Sequence, residues 1–206
     1  MLKNLTTVTV SFLGAVATSA ATLPAPSYAI LNPTSIIQET ATTEVAPEKP
    51  KEKRLICKGC NQNENFAVNY LQDKGIKDKN AIATIMGNIR QESTFVPNIC
   101  EGGARVSYQN CRSGGFGILQ WTDTARFNGL GNFAYKTNAN PSSIETQLEY
   151  MIHEPDWKII EKRMMQPGGS IGDYMQVARQ WIRWGYHGAR TTFAYDYARR
   201  LVLTEV

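Results

Sequence analysis

The sequence predicts a mainly α-helical domain of the α+β class, with a small β-hairpin region beside a cleft. Three observations support this fold class. Apolar residues recur at helical spacing, as in residues 82–89. A Ser-x-x-Glu capping box at residues 142–145 precedes another helical stripe. The one β candidate of any size is the alternating segment 105–108, which lies between two glycine pairs.

Residues 1–29 have the pattern of a secretory signal peptide. Lys3 is the one charged residue, residues 8–16 form a short apolar core, and residues 27–29 offer small side chains at the cleavage-site positions. The core is too short to span a bilayer. Cleavage after Ala20 and an uncleaved signal anchor are alternatives. We expect export, with no stable membrane insertion once the signal is removed.

Residues 30–54 have the composition of a disordered linker. They are rich in Thr, Glu, Pro and Lys and contain no apolar run that could build a core. Residues 55–206 have the size of one domain with its own core. The formal net charge of +4 suits an anionic cell-wall partner. No Lys/Arg-rich block is present, so a nucleic-acid partner is not expected.

The first two helices are predicted at residues 65–74 and at the segment that begins after Asp78. Phe66 and Tyr70 face inward on the first, and Gly75 ends it. In the second, Gly87 costs stability relative to alanine, which predicts that another backbone packs closely there.

The second half of the chain is predicted to be helical. Its segments are residues 122–130, a helix that starts at the Ser142–Glu145 capping box and ends before Pro155, and then residues 156–165, 171–184 and 191–203. Arg179, Arg183 and Arg190 lie in this last region, and one of them is expected to pair with an acidic residue near the cleft.

Glu92 lies on the second predicted helix, at a position where the apolar pattern would place a core residue. Ile82, Ile85, Met86 and Ile89 form the apolar face, and the next position of that stripe is Glu92. Partial burial and the negative end of the helix dipole both favour the protonated carboxyl group. Such a group is a candidate general acid, the role that glycoside cleavage requires. A structural ion pair with an arginine is the alternative interpretation.

Two motifs resemble the lysozyme-like superfamily. They are GNIRQESTFVP at residues 87–97 and GGFGILQWT at residues 114–122, and the resemblance extends over residues 66–201. Phage tail lysozymes are the most similar group, with soluble lytic transglycosylases and goose-type lysozymes more distant. The resemblance implies a lysozyme-like α+β fold and a catalytic glutamate at Glu92.

Several residues near these motifs are candidate contacts for a glycan. The resemblance places Gln120 in the cleft, where its amide can donate to and accept from sugar groups. Tyr108 in the predicted hairpin could stack on a sugar ring. The full set of candidate substrate-binding residues is Ser93, Tyr108, Gly117, Gln120 and Trp121.

The resemblance implies a muramidase that cleaves the β-1,4 bond between N-acetylmuramic acid and N-acetylglucosamine in peptidoglycan. Hydrolysis with two carboxylates needs a second acidic residue, for which Glu101 and Asp123 are the nearest in sequence. A lytic transglycosylase, which forms 1,6-anhydro products with one glutamate, is the first alternative. A non-catalytic wall-binding or virion module is the second. Phage tail or cell-envelope proteins are possible partners, and a phage-encoded chain would be virion-associated.

The four cysteines are Cys57, Cys60, Cys100 and Cys111. In an exported protein they are expected to form two disulfides, and three connectivities are open. A zinc site built from all four is the rival interpretation. We expect disulfides, no metal and no cofactor.

Overall fold

The computed structural model describes residues 52–112 and 114–205. This part of the chain is mainly helical, as predicted, and contains one small two-stranded antiparallel sheet. Two short 3-10 turns, Glu101–Gly103 and Tyr108–Asn110, interrupt the loop after the second helix. The elements in chain order are β1 (Lys53–Cys57), α1 (Gln62–Asp73), α2 (Lys79–Ser93), α3 (Thr124–Lys136), α4 (Ile144–His153), α5 (Pro155–Met165), α6 (Ile171–Ile182), α7 (Arg190–Arg200) and β2 (Leu201–Glu205).

Helix α2 is the buried centre of the domain. The Asp78 carboxylate caps it by accepting from the backbone N–H groups of Asn80 and Ala81. The predicted apolar face is fully buried. Helix α7 crosses α2 at Gly87, where an added Cβ would lie 2.6 Å from the Ala194 nitrogen and 2.7 Å from the Arg190 carbonyl oxygen. The close approach of a second backbone at Gly87 is therefore confirmed.

The small sheet joins the two ends of the described domain. Strands β1 and β2 pair antiparallel, with Lys53 opposite Glu205 and Cys57 opposite Leu201. The Gln72 side chain closes the other edge of β1, since its Oε1 accepts from Leu55 N at 2.7 Å and its Nε2 donates to Leu55 O at 2.9 Å. Lys53, at the predicted end of the linker, thus lies in a strand, and so do residues 201–203, for which a helix was predicted.

The segment predicted as a hairpin has another structure. Within the described residues, Arg105 forms an isolated bridge with Ile99, and Tyr108 begins a 3-10 turn. The Tyr108 ring stacks on Phe127 at 4.4 Å, and its hydroxyl donates to Phe127 O at 2.9 Å. The alternation at 105–108 therefore reflects packing of one aromatic ring rather than a strand.

Several helix ends differ from the predictions because local capping decides them. Helix α1 begins before residue 65, since Asn61 and Glu64 form a reciprocal capping box. Helix α3 continues beyond residue 130 to Lys136. Helix α6 ends at Ile182 because Arg183 adopts a left-handed conformation with φ 55°.

The cysteines form two disulfides, Cys57–Cys60 and Cys100–Cys111. The first links the end of β1 to the turn before α1, and the second closes the loop that follows α2. Because all four sulfurs are paired in this way, the arrangement differs from a four-thiolate zinc site.

None of the helices within residues 52–112 and 114–205 is long and apolar enough to cross a bilayer. The predicted signal peptide and almost all of the predicted linker lie outside the described residues.

Candidate active site

Glu92 lies in the last turn of α2, at a cavity of about 420 Å³. The helix stops at Ser93 because Thr94 and Phe95 both adopt left-handed conformations, with φ 51° and 62°. Phe95 is buried, and this anchors the turn. The Glu92 side chain is 17% exposed, so the carboxyl group is largely desolvated but reachable from the cavity. The cavity is lined by Glu92, Leu119, Gln120, Thr122, Asp123, Arg126, Ile182, Arg183, Trp184, Gly185, Tyr186 and Arg190.

Arg190 is the ion-pair partner of Glu92. Its Nη2 donates to Glu92 Oε1. The arginine side chain is only 5% exposed, and its Nη1 donates to the carbonyl oxygens of Tyr186 at 2.9 Å and His187 at 2.8 Å. The guanidinium also lies 5.0 Å from the centre of the Trp184 ring. Of the three arginines named from the sequence, Arg190 therefore contacts the proposed acid.

The pKa of the Glu92 carboxyl group is raised above the ordinary value of a glutamate. Burial is the largest cause, and it acts against the charge and hydrogen bond of Arg190 and the charge of Arg126, which lower the pKa. The net direction agrees with the prediction from the apolar stripe. It favours a carboxyl group that holds a proton, as a general acid must.

A second buried ion pair supports the cavity wall. Glu154 is 1% exposed and accepts from Arg126 through both oxygens, at 2.7 Å and 2.9 Å. Trp121 Nε1 donates to the same carboxylate at 2.9 Å. Trp121 is fully buried, and its contact with a sugar stays a prediction. Sequence analysis missed Arg126 and Glu154, because no local pattern links residues 28 positions apart.

Ser93 and Gly117 hold the turn at the cavity rather than lining the cavity itself. The buried Ser93 hydroxyl donates to Ile118 O at 2.9 Å. Gly117 has φ 73°, and an added Cβ would lie 2.5 Å from Gln147 Oε1, the atom that accepts from Ile118 N. These contacts fix the Gly-x-x-Gln turn between α2 and α4. Their physical role is positioning, and Tyr108 has the packing role described above.

Gln120 and Asp123 share the cavity with Glu92. Gln120 adopts a left-handed conformation with φ 47°, and its Nε2 donates to Gly117 O at 3.0 Å. The Asp123 carboxylate caps α3 by accepting from Ala125 N at 2.8 Å and Arg126 N at 3.2 Å. Glu101 is exposed in the disulfide-closed loop, where it accepts from Gly115 N at 3.1 Å, and it is not among the described lining residues.

Residues 62–199 match the family model of the phage tail lysozyme. The chain belongs to this family. The description of this family is that of a lysozyme from phage tails. The matched residues include all those that line the cavity with Glu92.

A relative of this phage tail lysozyme is morphogenesis protein 1 of Bacillus phage B103. The two are 31% identical over 110 residues, an alignment that covers 52% of this chain and 27% of the phage protein. The chain therefore spans only about a quarter of that relative's length.

Proposed function

We propose that this protein is a muramidase that cleaves the β-1,4 bond between N-acetylmuramic acid and N-acetylglucosamine, with Glu92 as general acid. The observation that carries the proposal is the position of Glu92: a largely buried carboxyl group of raised pKa at an open cavity. Arg190 fixes the orientation of the carboxyl group through its hydrogen bond. Gln120 is the cavity residue proposed to bind a sugar hydroxyl or N-acetyl group.

Asp123 is the better of the two candidates for a second carboxylate, because it lines the same cavity. Its cap of α3 holds the carboxylate in place at the cavity, where it is a candidate general base or nucleophile.

The cap also supports the transglycosylase alternative. A carboxylate that already accepts from two backbone N–H groups has reduced capacity to act on water or on a sugar. In that case Glu92 alone serves first as acid and then as base, and the sugar's own C6 hydroxyl closes a 1,6-anhydro product. The two proposals differ in their products.

The first experiment compares Glu92→Gln with the wild type on purified peptidoglycan. Glutamine retains an oxygen that accepts from Arg190 but cannot release a proton as an acid. We expect normal folding by circular dichroism and a loss of cleavage of about 100- to 10,000-fold. Glu161→Gln, which alters a surface ion pair with Lys158, is the matched control and should retain activity. Wild-type activity in Glu92→Gln would contradict the proposed mechanism.

Mass spectrometry of the soluble products separates the alternatives. Reducing-end muropeptides indicate hydrolysis, and 1,6-anhydro products indicate a transglycosylase. Asp123→Asn keeps the helix cap, since asparagine caps as well as aspartate, but removes the charge. A large loss of hydrolysis in this variant would assign Asp123 as the second carboxylate. Wall binding without any product from the wild type would favour the non-catalytic module.

We further propose that the protein acts outside the reducing cytoplasm, either after export or on a virion. Two disulfides and the signal-like residues 1–29 support this location. The family description, which names phage tails, supports a role beside tail components. The name of the B103 relative supports a role in phage morphogenesis.

A further inference from the structure

A second cavity of about 440 Å³ adjoins the one that contains Glu92. The two cavities share Trp184 and Gly185 as a common wall. The second is otherwise formed by one face of α6 and by the beginning of α7 with the residues before it. Those lining residues are Gly172, Met175, Gln176, Arg179, His187 and Thr191.

The second cavity has a positive character. The described lining residues include Arg179 and no acidic residue. Two nearby arginines already form ion pairs. Arg183 pairs with Asp156 at 2.6 Å, and Arg190 pairs with Glu92. Within residues 52–112 and 114–205, no carboxylate forms an ion pair with Arg179. Its exposed guanidinium is therefore available to an anionic ligand.

The remaining walls combine apolar and hydrogen-bonding groups. Met175 supplies apolar surface, and the Trp184 ring separates the two cavities. His187 Nε2 and Thr191 Oγ1 lie 2.8 Å apart and form a polar edge, and the His187 ring packs against Trp184 at 5.5 Å. A ligand with a carboxylate, amide groups and a small aliphatic side chain matches this combination.

We infer that the second cavity binds the carboxylate-bearing stem peptide of peptidoglycan, with Arg179 as the anion contact. The inference rests on the proposed function. In peptidoglycan, the stem peptide branches from the lactyl group of N-acetylmuramic acid and carries free carboxylates, whereas the glycan backbone is uncharged. A muramyl residue bound at Glu92 whose lactyl group faces Trp184 and Gly185 would direct its anionic branch toward the cavity that Arg179 lines. Arginine matches a carboxylate in both charge and geometry.

The test uses the full chain with Glu92→Gln, so that binding is measured without cleavage. The probes are N-acetylmuramyl-L-Ala-D-Glu with the γ-carboxyl group blocked as a methylamide and the α-carboxylate free, and the same compound with an α-carboxamide, so that the second probe carries no carboxylate. Binding is followed by nuclear magnetic resonance titration. We expect the carboxylate probe to bind more tightly than the amide, and Arg179→Ala to weaken the carboxylate probe by about three- to tenfold. The amide probe should be nearly insensitive to Arg179→Ala.

Lys162→Ala is the control, because it removes one exposed positive charge from α5 without touching either cavity. An equal loss in Lys162→Ala would mean that general charge attraction is responsible and would overturn the inference. Equal binding of the two probes, or no effect of Arg179→Ala, would also overturn it. Catalytic failure of the wild type is a separate result, since the binding titration does not depend on product formation.

Discussion

Gly87→Ala tests the close approach of helices α2 and α7. The substitution adds one methyl group where α7 crosses α2. The new Cβ would lie 2.6 Å from the Ala194 nitrogen, 2.7 Å from the Arg190 carbonyl oxygen and 2.9 Å from the Ala194 Cα. All three are backbone atoms, so no side-chain rotation relieves the overlap. Helix α7 must move away from α2, and Arg190 must move with it.

Two opposing effects set the change in the free energy of unfolding. Alanine in a helix interior is favoured over glycine by about 1 kcal/mol. Overpacking a filled site costs about 1 to 3 kcal/mol, and displacement of a whole helix places this case at the upper end. We expect a net destabilisation of about 1 to 2 kcal/mol, which lowers the Tm by about 3 to 6 °C for a domain of this size.

Urea unfolding of both variants measures the effect. Gly172→Ala is the matched control, since Gly172 is also helical and an added Cβ there would meet only Ser170 Oγ, at 3.6 Å. This control should gain up to about 1 kcal/mol. The packing argument is refuted if Gly87→Ala is as stable as the wild type. Because Arg190 moves with α7, we also expect lower cleavage activity in Gly87→Ala.

Two further predictions concern the ion pairs around the cavity. Glu154→Ala leaves Arg126 without its buried partner and should destabilise the domain by about 3 to 5 kcal/mol in urea unfolding. The surface variant Glu161→Ala should change stability by no more than about 0.5 kcal/mol, and a similar small change in Glu154→Ala would contradict the buried-pair argument. Arg190→Met removes a charge and a hydrogen bond that lower the Glu92 pKa, so this pKa should rise further. Activity that needs protonated Glu92 is lost as pH rises through that pKa, so the alkaline limb of kcat/KM should move to higher pH. In Arg190→Lys, which keeps the charge, the limb should stay closer to that of the wild type. A downward shift in Arg190→Met would contradict the conclusion that Arg190 lowers the Glu92 pKa.

The helices were predictable because their signals are local. Asp78 caps α2 as expected. The Ser142-x-x-Glu145 pattern predicts the start of α4 to within one residue, but the capping side chain is Ser143, which accepts from Thr146 N. The β1–β2 sheet was missed because its partners, such as Lys53 and Glu205, lie at opposite ends of the domain. Each strand has only five residues, and charged side chains next to a linker-like segment conceal the alternation of Leu55 and Cys57.

The cavity was only partly predictable for the same reason. Glu92 interrupts a helical apolar stripe, and this is visible within one helix. Which of Arg179, Arg183 and Arg190 pairs with Glu92 depends on the crossing of α2 and α7. Spacing along the sequence does not encode that crossing. Trp121 was assigned to substrate because it follows Gln120, but its indole N–H faces Glu154 from a distant helix.

The register of the β1–β2 sheet determines how the domain would respond to mechanical load. Lys53 pairs with Glu205, so the outer ends of both strands lie at the same end of the sheet. Tension applied at these two ends would break the interstrand hydrogen bonds one pair at a time. It would not slide the strands past each other and load all of the pairs at once. The sheet would therefore open at low force, and the next barrier would be the contact of α7 with α2 at Gly87. Pulling would reach the arginine that holds Glu92 only after that contact is broken.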